Sequence, residues 1–296
     1  MKYILFNYGK IPDYLELTMN SILSVDQDAE IIFISDKKLN SNVITNIDIN
    51  DYPDLISLKE KLFEYFKDSN FSSIKYPVFF TSLLRVFSIA KVAEMEKVQK
   101  FIHFDNDVII YKSFDELNST KVFHNKNTNI TQITNNKLSF GYSFFPTIDS
   151  VKFLSDKSLN ILKNNEYYSN TFQFGTHLSE MKILGIINNI FEEFISILPS
   201  LPYGNKSGVI FDPSSYGQYF NGLHHRRGNY IFKRRWVSPS EIIGREIKSK
   251  RISVKISDKQ PFVEYENKKI EIANLHIHSK NLNKFLPIQF KNYLSF

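Results

Sequence analysis

Two aspartates, Asp105 and Asp107, are separated by a single residue where an apolar run of the sequence is interrupted. The surrounding residues 101–111 are rich in Phe, Ile and Val, which predicts a buried strand with the acidic pair at its end. Two like charges at a sheet edge need a partner, and Mg²⁺ or Mn²⁺ takes oxygen ligands from one or two carboxylates. The alternative is an ordinary turn, because Asp and Asn favour turns and hydrogen-bond their own backbone.

A second polar pattern lies far along the sequence, where His276 and His278 alternate with apolar residues. Side chains two residues apart in a strand point to the same face, so both imidazoles are expected on one side. Lys280 and Lys284 follow, and the segment suits a metal-bound diphosphate, with imidazole on the cation and ammonium groups on phosphate oxygens. A pair of surface histidines on a half-buried strand is the alternative.

Strands and helices alternate through the first third of the sequence. The predicted strands are residues 3–6 and 30–34, and the predicted helices are residues 14–23, 55–66 and 81–98. This alternation predicts an α/β fold with a mostly parallel sheet flanked by helices. Ligands of such sheets bind at the carboxyl ends of the strands, which places Asn7 and Asp36 at the ligand edge.

The third predicted helix carries Arg85 and leads into the strand that holds the acidic pair. Arg85 is therefore expected near that edge, in contact with a phosphate or a carboxylate; a surface arginine is the alternative. Later predictions are a turn or short helix at 114–117, a strand at 139–145, helices at 151–164, 178–184 and 187–198, and a hairpin formed by 261–265 and 271–280. We find no internal repeat, so one domain is expected.

Composition indicates a globular protein. The chain has 296 residues, of which 42% are hydrophobic and 15% aromatic, enough for one large core. No apolar run approaches the ~20 residues needed to cross a bilayer, and the apolar N-terminal stretch is too short for a signal peptide. A cytoplasmic location is therefore expected. The absence of cysteine excludes disulfides, thiol catalysis and zinc–cysteine sites.

The net charge of +6 suits an anionic partner. The positive charge concentrates at residues 224–227, 233–235 and 245–251. Because no known nucleic-acid motif accompanies these clusters, a solvated basic face is expected, and nucleic-acid binding is not. The same segments would suit peripheral contact with an anionic membrane or a lipid-linked acceptor.

Together these features resemble the GT-A glycosyltransferases, which use nucleotide-sugar donors. The resemblance rests on Asp105-Asn106-Asp107 after an apolar strand, on the preceding helix with Arg85, and on the late His-Ser-Lys segment. It covers the first ~120 residues as architecture and the last ~25 as a motif. In that family the Asp-x-Asp motif and a late histidine bind Mn²⁺, which holds the donor diphosphate.

The resemblance implies a role for each motif. It implies that Asp105, Asp107 and His278 are the metal ligands, with His276 competing for the third position. The implied contacts with the nucleoside of the donor are Asn7, Tyr8 and Asp36. Arg85 and Lys280 would contact its phosphates or its sugar, and Asn106 is a further implied donor contact. Relatives often place a glycine and a lysine–proline pair after the metal-binding histidine; this sequence lacks them, so Lys280 and Lys284 compete for the phosphate role.

The implied protein is a single GT-A-like α/β domain with a Rossmann-like half and a decorated C-terminal half. Residues 1–120 would bind the nucleotide-sugar, and residues 121–296 would bind the acceptor and supply the metal- and phosphate-binding segment. The implied reaction is metal-dependent hexosyl transfer from a UDP-sugar to a cell-surface or other complex glycan, as in polysaccharide biosynthesis. Alternatives are a sugar-phosphate nucleotidyltransferase and a non-catalytic nucleotide- or glycan-binding protein of the same fold.

The sequence offers three candidates for a catalytic base. Asp212 precedes a predicted helix start, where capping is the alternative role. For Glu180, the alternative to a role as base is a solvated position on a helix. His177, which lies nearby in the sequence, is the third candidate. Asp212 is preferred because polar and aromatic residues suited to a sugar follow it. An inverting enzyme needs such a base within hydrogen-bond reach of the acceptor hydroxyl.

Overall fold

The computed structural model describes residues 1–68, 76–174, 178–221, 238 and 240–295. The strands are β1 (Lys2–Asn7), β2 (Glu30–Ser35), β3 (Ile44–Asp48), β4 (Phe101–His103), β5 (Val108–Ile110), β6 (Thr128–Thr134), β7 (Lys137–Phe145), β8 (Ile195–Ile197), β9 (Val209–Ile210), β10 (Ser253–Ser257), β11 (Gln260–Tyr265), β12 (Lys268–Ile272) and β13 (Asn274–His276). The helices are α1 (Leu15–Val25), α2 (Pro53–Asp68), α3 (Tyr76–Met95), α4 (Phe114–Ser119), α5 (Ile148–Lys163), α6 (Asn165–Thr171), α7 (Glu180–Ile190), α8 (Ser215–Asn221) and α9 (Ile242–Lys248).

A seven-stranded sheet with the order β3-β2-β1-β4-β7-β6-β8 forms the centre of the molecule. Its pairings are parallel from β3 through β4 and between β6 and β8, whereas β7 runs antiparallel to both of its neighbours. The predicted α/β class with a mostly parallel sheet is confirmed.

Both faces of this sheet are buried, which explains the continuous apolar runs of its strands. Ile4 and Phe6 of β1 belong to a core shared with α2, α3, α5 and α7. Tyr3 and Leu5 point the other way, into a second core that includes α1. The alternation of side chains along β1 therefore joins two helical layers to one sheet.

The C-terminal half adds two small sheets. One is four-stranded, in the order β10-β11-β12-β9, and contains the predicted hairpin as β11 and β12. Glu266 and Asn267 in its two-residue turn have positive φ angles of 49° and 59°, as tight hairpin turns require. The other small sheet pairs β13 with β5 antiparallel, with His276 opposite Val108. This pairing brings the late histidine segment to the acidic triplet.

Three sequence predictions differ from the structure. The second strand of the hairpin, predicted at 271–280, is divided between β12 and β13, which belong to different sheets. Residues 101–111 form two short strands, β4 and β5, with the acidic triplet between them. The helix predicted at 187–198 is wrong, because α7 ends at Ile190 and β8 then pairs with β6. An apolar run of this length fits a helix or a strand equally well, and the open edge of β6 decides the outcome. None of the helices in the described ranges combines the length and hydrophobicity that a membrane span requires.

Candidate active site

Asp105, Asn106 and Asp107 form the turn that joins β4 to β5. The backbone N–H of Asp105 donates a hydrogen bond to the carbonyl of Phe140 in β7 (3.0 Å). The hydroxyl of Thr18 in α1 donates to the carbonyl of Asn106 (2.6 Å). The turn is thus held by two neighbouring elements, and its carboxylates stand at the carboxyl end of β4, as predicted.

Strand β13 places the imidazole of His276 against both carboxylates. Its Nε2 lies 3.1 Å from Oδ1 of Asp107 and its Nδ1 lies 3.7 Å from Oδ2 of Asp105. One ligand atom from each of these three residues can be chosen so that all lie within 4.8 Å of one another. Two carboxylates and one imidazole form a donor set suited to Mn²⁺ or Mg²⁺. Nδ1 of His276 is buried without a hydrogen-bond partner in the described part of the chain, which also fits a cation ligand.

The histidine in this donor set is His276, whereas the sequence prediction chose His278. Strand β13 ends at His276 and the chain turns directly after it, so His278 leaves the strand direction. The two rings stack with their centroids 4.6 Å apart and an interplanar angle of 10°. His278 lines a cavity together with His276. The two rings are adjacent, as expected, but the donor set contains His276 and not His278.

Two cationic side chains pair with the carboxylates. The Arg85 guanidinium contacts Asp105 and also Oε2 of Glu180 (2.6 Å). The Lys280 ammonium contacts Asp107. When the carboxylates of Asp105, Asp107 and Glu180 are all ionised, they carry one more charge than Arg85 and Lys280 together, which favours the binding of a further cation.

Asp107 and Glu180 are the buried carboxyls that line this site, and their pKa shifts have opposite directions. Burial by itself would raise the pKa of Asp107, but His276 and Lys280 outweigh it and hold that pKa well below its usual range. Burial raises the pKa of Glu180, and Arg85 opposes this shift only in part. Asp107 is thus kept ionised as a cation ligand requires, whereas Glu180 takes up a proton more readily than an ordinary glutamate.

The loop after β1 lies beside the acidic triplet. The amide of Asn106 donates to the carbonyl of Phe6 (2.8 Å) and to Oδ1 of Asn7 (3.3 Å). The N–H of Gly9 donates to Oδ1 of Asp36 (2.7 Å), and Gly9 has a positive φ of 90° that favours glycine. The structure therefore brings the predicted nucleoside-contacting residues to the same edge of the sheet as the carboxylates.

Three neighbouring cavities share residues of this site. One of about 610 Å³ is lined by Tyr8 and by side chains of α2 and α3. Tyr8 also lines a second cavity of about 220 Å³, together with Asp105 and Asp107. The same carboxylates, with Arg85 and Glu180, border a third cavity of about 460 Å³. This series of cavities would accommodate an elongated ligand.

Asp212 does not suit the role of base that the sequence predicted for it. Its side chain is completely buried. Both carboxylate oxygens accept backbone N–H groups, including those of Tyr216 and Gly217 at the start of α8. The capping alternative is therefore the one that the geometry supports. Glu180, by contrast, borders the third cavity. His177 and the basic segments 224–227 and 233–235 lie outside the described residues.

Two residues of the site had no signal in the sequence. Phe140 lies beneath Arg85, whose guanidinium carbon is 5.1 Å from the ring centroid. Ser214 lines the third cavity with a φ of 144°, which is rare for a residue other than glycine. Phe140 looked like an ordinary core residue of an apolar strand, and nothing in Asp-Pro-Ser-Ser predicts such a backbone angle.

No protein-family model matches this chain, and no curated protein matches it significantly. Among solved structures, mouse xyloside xylosyltransferase 1 in its apo form matches 67% of this chain and 86% of its own, with 11% identity and a TM-score of 0.46. The galactosyltransferase LgtC, in complex with donor and acceptor sugar analogs, matches 81% of this chain and 85% of its own, with 13% identity and a TM-score of 0.43. The glycosyltransferase GlyE of Streptococcus pneumoniae TIGR4 matches 78% of this chain and 50% of its own, with 12% identity and a TM-score of 0.40.

These neighbours are glycosyltransferases, the class of enzyme that the sequence resembles. Because identity is low and each TM-score is below 0.5, the reaction of this chain has to be inferred from its own residues.

Proposed function

We propose that this protein transfers a sugar from a nucleotide-sugar donor, a UDP-sugar, to a glycan acceptor with a bound Mn²⁺ or Mg²⁺. The observation that supports this proposal is the convergence of Asp105, Asp107 and His276 between the 610 Å³ cavity, which Tyr8 and Phe80 line, and the 460 Å³ cavity, which Arg85 and Glu180 border. A cation bound there would supply positive charge to the departing diphosphate. In this proposal residues 1–120 bind the donor and residues 121–296 complete the acceptor side.

The donor would lie along the series of cavities. Its base would enter the 610 Å³ cavity, where Tyr8 packs edge-on against Phe80 with ring centroids 5.8 Å apart. Its ribose would lie near Asn7 and Asp36, at the loop that Gly9 allows. The diphosphate would then reach Asp105 and Asp107, and the sugar would occupy the 460 Å³ cavity.

Lys280 would neutralise the leaving group. Its ammonium contacts Asp107 and lies 5.4 Å from the ring centroid of Tyr14. When the carboxylate binds a cation, the ammonium group can turn to a phosphate oxygen, where charge develops as the bond to the sugar breaks. Lys280 therefore acts as a preplaced countercharge.

Glu180 is the catalytic carboxylate of this proposal. It is 3% exposed, borders the cavity assigned to the sugar, and is oriented by the 2.6 Å contact with Arg85. In its ionised form it can accept the proton of an acceptor hydroxyl, which is the role of a general base. Arg85 holds Glu180 and Asp105 at the same time and so fixes the distance between base and cation site.

The decisive experiment is a screen of nucleotide-sugars for Mn²⁺-dependent thermal stabilisation and slow donor hydrolysis. We expect one donor to raise the melting temperature only with Mn²⁺ present and to be hydrolysed, because an enzyme of this kind transfers to water when no acceptor is bound. Asp107→Ala should abolish both effects. Asp156→Ala, which removes an exposed carboxylate from α5, should abolish neither.

Three results would contradict the proposal. The first is the absence of any nucleotide or nucleotide-sugar binding, and the second is metal-dependent binding that survives Asp107→Ala. The third is donor binding without turnover when acceptor glycans are also supplied, which would indicate a non-catalytic binding protein.

A further inference from the structure

The carboxylate of Asp212 is a junction between two parts of the chain. Its Oδ1 accepts the backbone N–H groups of Ser214 (2.9 Å) and Tyr216 (2.9 Å). Its Oδ2 accepts those of Gly217 (2.8 Å) and His276 (3.0 Å). A carboxylate offers about four acceptor positions, so this buried group is fully used. It connects the start of α8 to the strand that carries the cation-binding imidazole.

The backbone around Asp212 is packed too closely to shift without penalty. The side chain of Asn274 accepts the N–H of Asp212 (3.1 Å) and donates to its carbonyl (3.0 Å). A Cβ atom on Gly141 would lie 2.7 Å from that carbonyl oxygen, and one on Gly217 would overlap the carbonyl oxygen of His276. Only glycine permits these approaches, so α8 and β13 are held in direct backbone contact.

The same carboxylate holds an unusual backbone conformation in the cavity wall. Ser214 has a φ of 144°, a region that residues with side chains rarely adopt and that costs energy. Its N–H is bound by Asp212, and the hydroxyl of Ser139 in β7 donates to the neighbouring carbonyl of Pro213 (2.7 Å). Ser139, Pro213 and Ser214 all line the 460 Å³ cavity.

From this geometry we infer that Asp212 is a positioning residue. It holds His276 in the cation-binding position through one oxygen and holds Ser214 in the wall of the sugar cavity through the other. The inference rests on the proposed function for the identity of the ligands. Asp212 would thus align the cation and the substrate without touching either of them.

The substitution Asp212→Asn tests this inference with minimal change of volume. An amide has one oxygen, so its NH₂ group must face either the N–H pair of Ser214 and Tyr216 or that of Gly217 and His276. In either orientation two backbone N–H groups lose their acceptor and face the N–H bonds of the amide. We expect the Mn²⁺ affinity of the full chain, measured by titration calorimetry without donor, to fall at least tenfold, as for other residues that orient a metal ligand.

Gly217→Ala is the second variant, because it keeps the carboxylate while its Cβ would overlap the carbonyl of His276 and crowd Oδ2 of Asp212 (3.2 Å), which disturbs the contact between α8 and β13. It should also weaken Mn²⁺ binding at least tenfold, and it carries the test if Asp212→Asn does not fold. Leu154→Ala, a core truncation in α5, is the matched control for lost stability. It should lower the melting temperature while leaving the Mn²⁺ affinity within about twofold of the wild type, since it removes no orienting contact.

The outcomes separate this inference from the proposed function. Wild-type Mn²⁺ affinity in Asp212→Asn or Gly217→Ala, together with a lowered melting temperature, would show a purely structural role and overturn the inference. Failure of the wild type to bind Mn²⁺ would overturn it as well. Tenfold losses in both variants, combined with a wild type that binds Mn²⁺ but turns over no nucleotide-sugar, would support the inference and reject the proposed reaction.

Discussion

The imidazole Nε2 of His276 lies 3.1 Å from a carboxylate oxygen of Asp107, although the two residues come from opposite halves of the chain. The contact follows from the pairing of β13 with β5, in which His276 stands opposite Val108. The candidate cation site is therefore built across a strand pair, and its geometry depends on backbone hydrogen bonds as well as on side chains.

His276→Ala and His278→Ala should differ in their effect on Mn²⁺ binding. Loss of a ligand from the Asp105, Asp107 and His276 set should weaken binding by ~100-fold or more, since even residues that only orient ligands cost 10–100-fold. His278→Ala leaves the three-residue donor set intact and should cost less than tenfold. Calorimetric titration of each variant measures the difference; a larger loss in His278→Ala would return the ligand role to that residue.

Lys280→Ala should weaken the binding of a nucleoside diphosphate in the presence of Mn²⁺. A charge-assisted hydrogen bond is worth about 1.5–3 kcal/mol, which corresponds to a roughly 10–100-fold loss. Lys284→Ala is the matched control, because Lys284 is exposed and is absent from the lining of the cavity that Lys280 borders. Equal losses in the two variants, measured by calorimetry, would exclude a specific phosphate contact of Lys280.

Arg85→Ala should destabilise the fold by about 3–5 kcal/mol, because it leaves the buried Glu180 and the partly buried Asp105 without their counterion. The side chains of Arg85 and Glu180 are only 13% and 4% exposed. Lys2→Ala makes the same change of net charge at the exposed Lys2–Glu30 pair (3.3 Å), where a loss of about 0–1 kcal/mol is expected. Urea unfolding of both variants measures these values; equal losses would show that the Arg85 pairs contribute little.

Glu180→Gln should remove the acidic limb of the pH–rate profile. Burial raises the pKa of Glu180 above its ordinary value of 4.5, so the ionised base is lost as the pH falls through that raised value. The wild-type rate should therefore decline at a higher pH than an exposed glutamate would produce. The variant should lose about 10²-fold or more in kcat. Glu166→Gln, at an exposed position of α6, should retain both the rate and the limb.

His103 should make stability depend on pH. Burial and the nearby Arg85 lower its pKa from 6.5 to about 3, against the opposing hydrogen bond with the carbonyl of Ile4 (2.7 Å). Below pH 6.5 the unfolded chain binds a proton that the folded chain excludes, so the free energy of unfolding falls toward pH 3. The slope from this group is about 1.4 kcal/mol per pH unit.

His103→Asn keeps a donor for the carbonyl of Ile4 but cannot titrate. Urea unfolding at pH 7.5 and at about pH 5.5 should therefore show a smaller loss of stability on acidification in this variant than in the wild type. An unchanged slope would mean that His103 does not control the acid sensitivity of the fold.

Much of the architecture could be predicted from the sequence, because the decisive patterns are local. The alternating strands and helices of the first third, the hairpin around Glu266 and the polar break at Asp105 each depend on a few neighbouring residues. Strand topology predicted that Asn7 and Asp36 lie at the ligand edge, whereas the meeting of the acidic pair with a late histidine was implied by the resemblance to the GT-A glycosyltransferases. The helix predicted at 187–198 failed because a distant strand edge, not local periodicity, determines that segment.

The finer assignments in the site depended on contacts that a sequence does not contain. His276 and His278 are equivalent by spacing, and only the end point of β13 distinguishes them. The residues that follow Asp212 have the composition expected near a sugar. The carboxylate of Asp212, however, accepts hydrogen bonds from backbone N–H groups of both α8 and β13. Whether Asp212 acts as a base or as a structural anchor therefore depends on its contact with β13, which is distant in sequence.

The pairing of β5 with β13 also determines when the site can form during folding. The candidate third ligand, His276, belongs to the last strand of the described chain, so a partly folded chain in which β13 has not docked would lack the complete donor set. Closing such a long loop costs conformational entropy before any contact compensates for it. A cation should therefore stabilise only conformations that have already completed this closure, slowing unfolding of the native protein without accelerating the early steps of refolding.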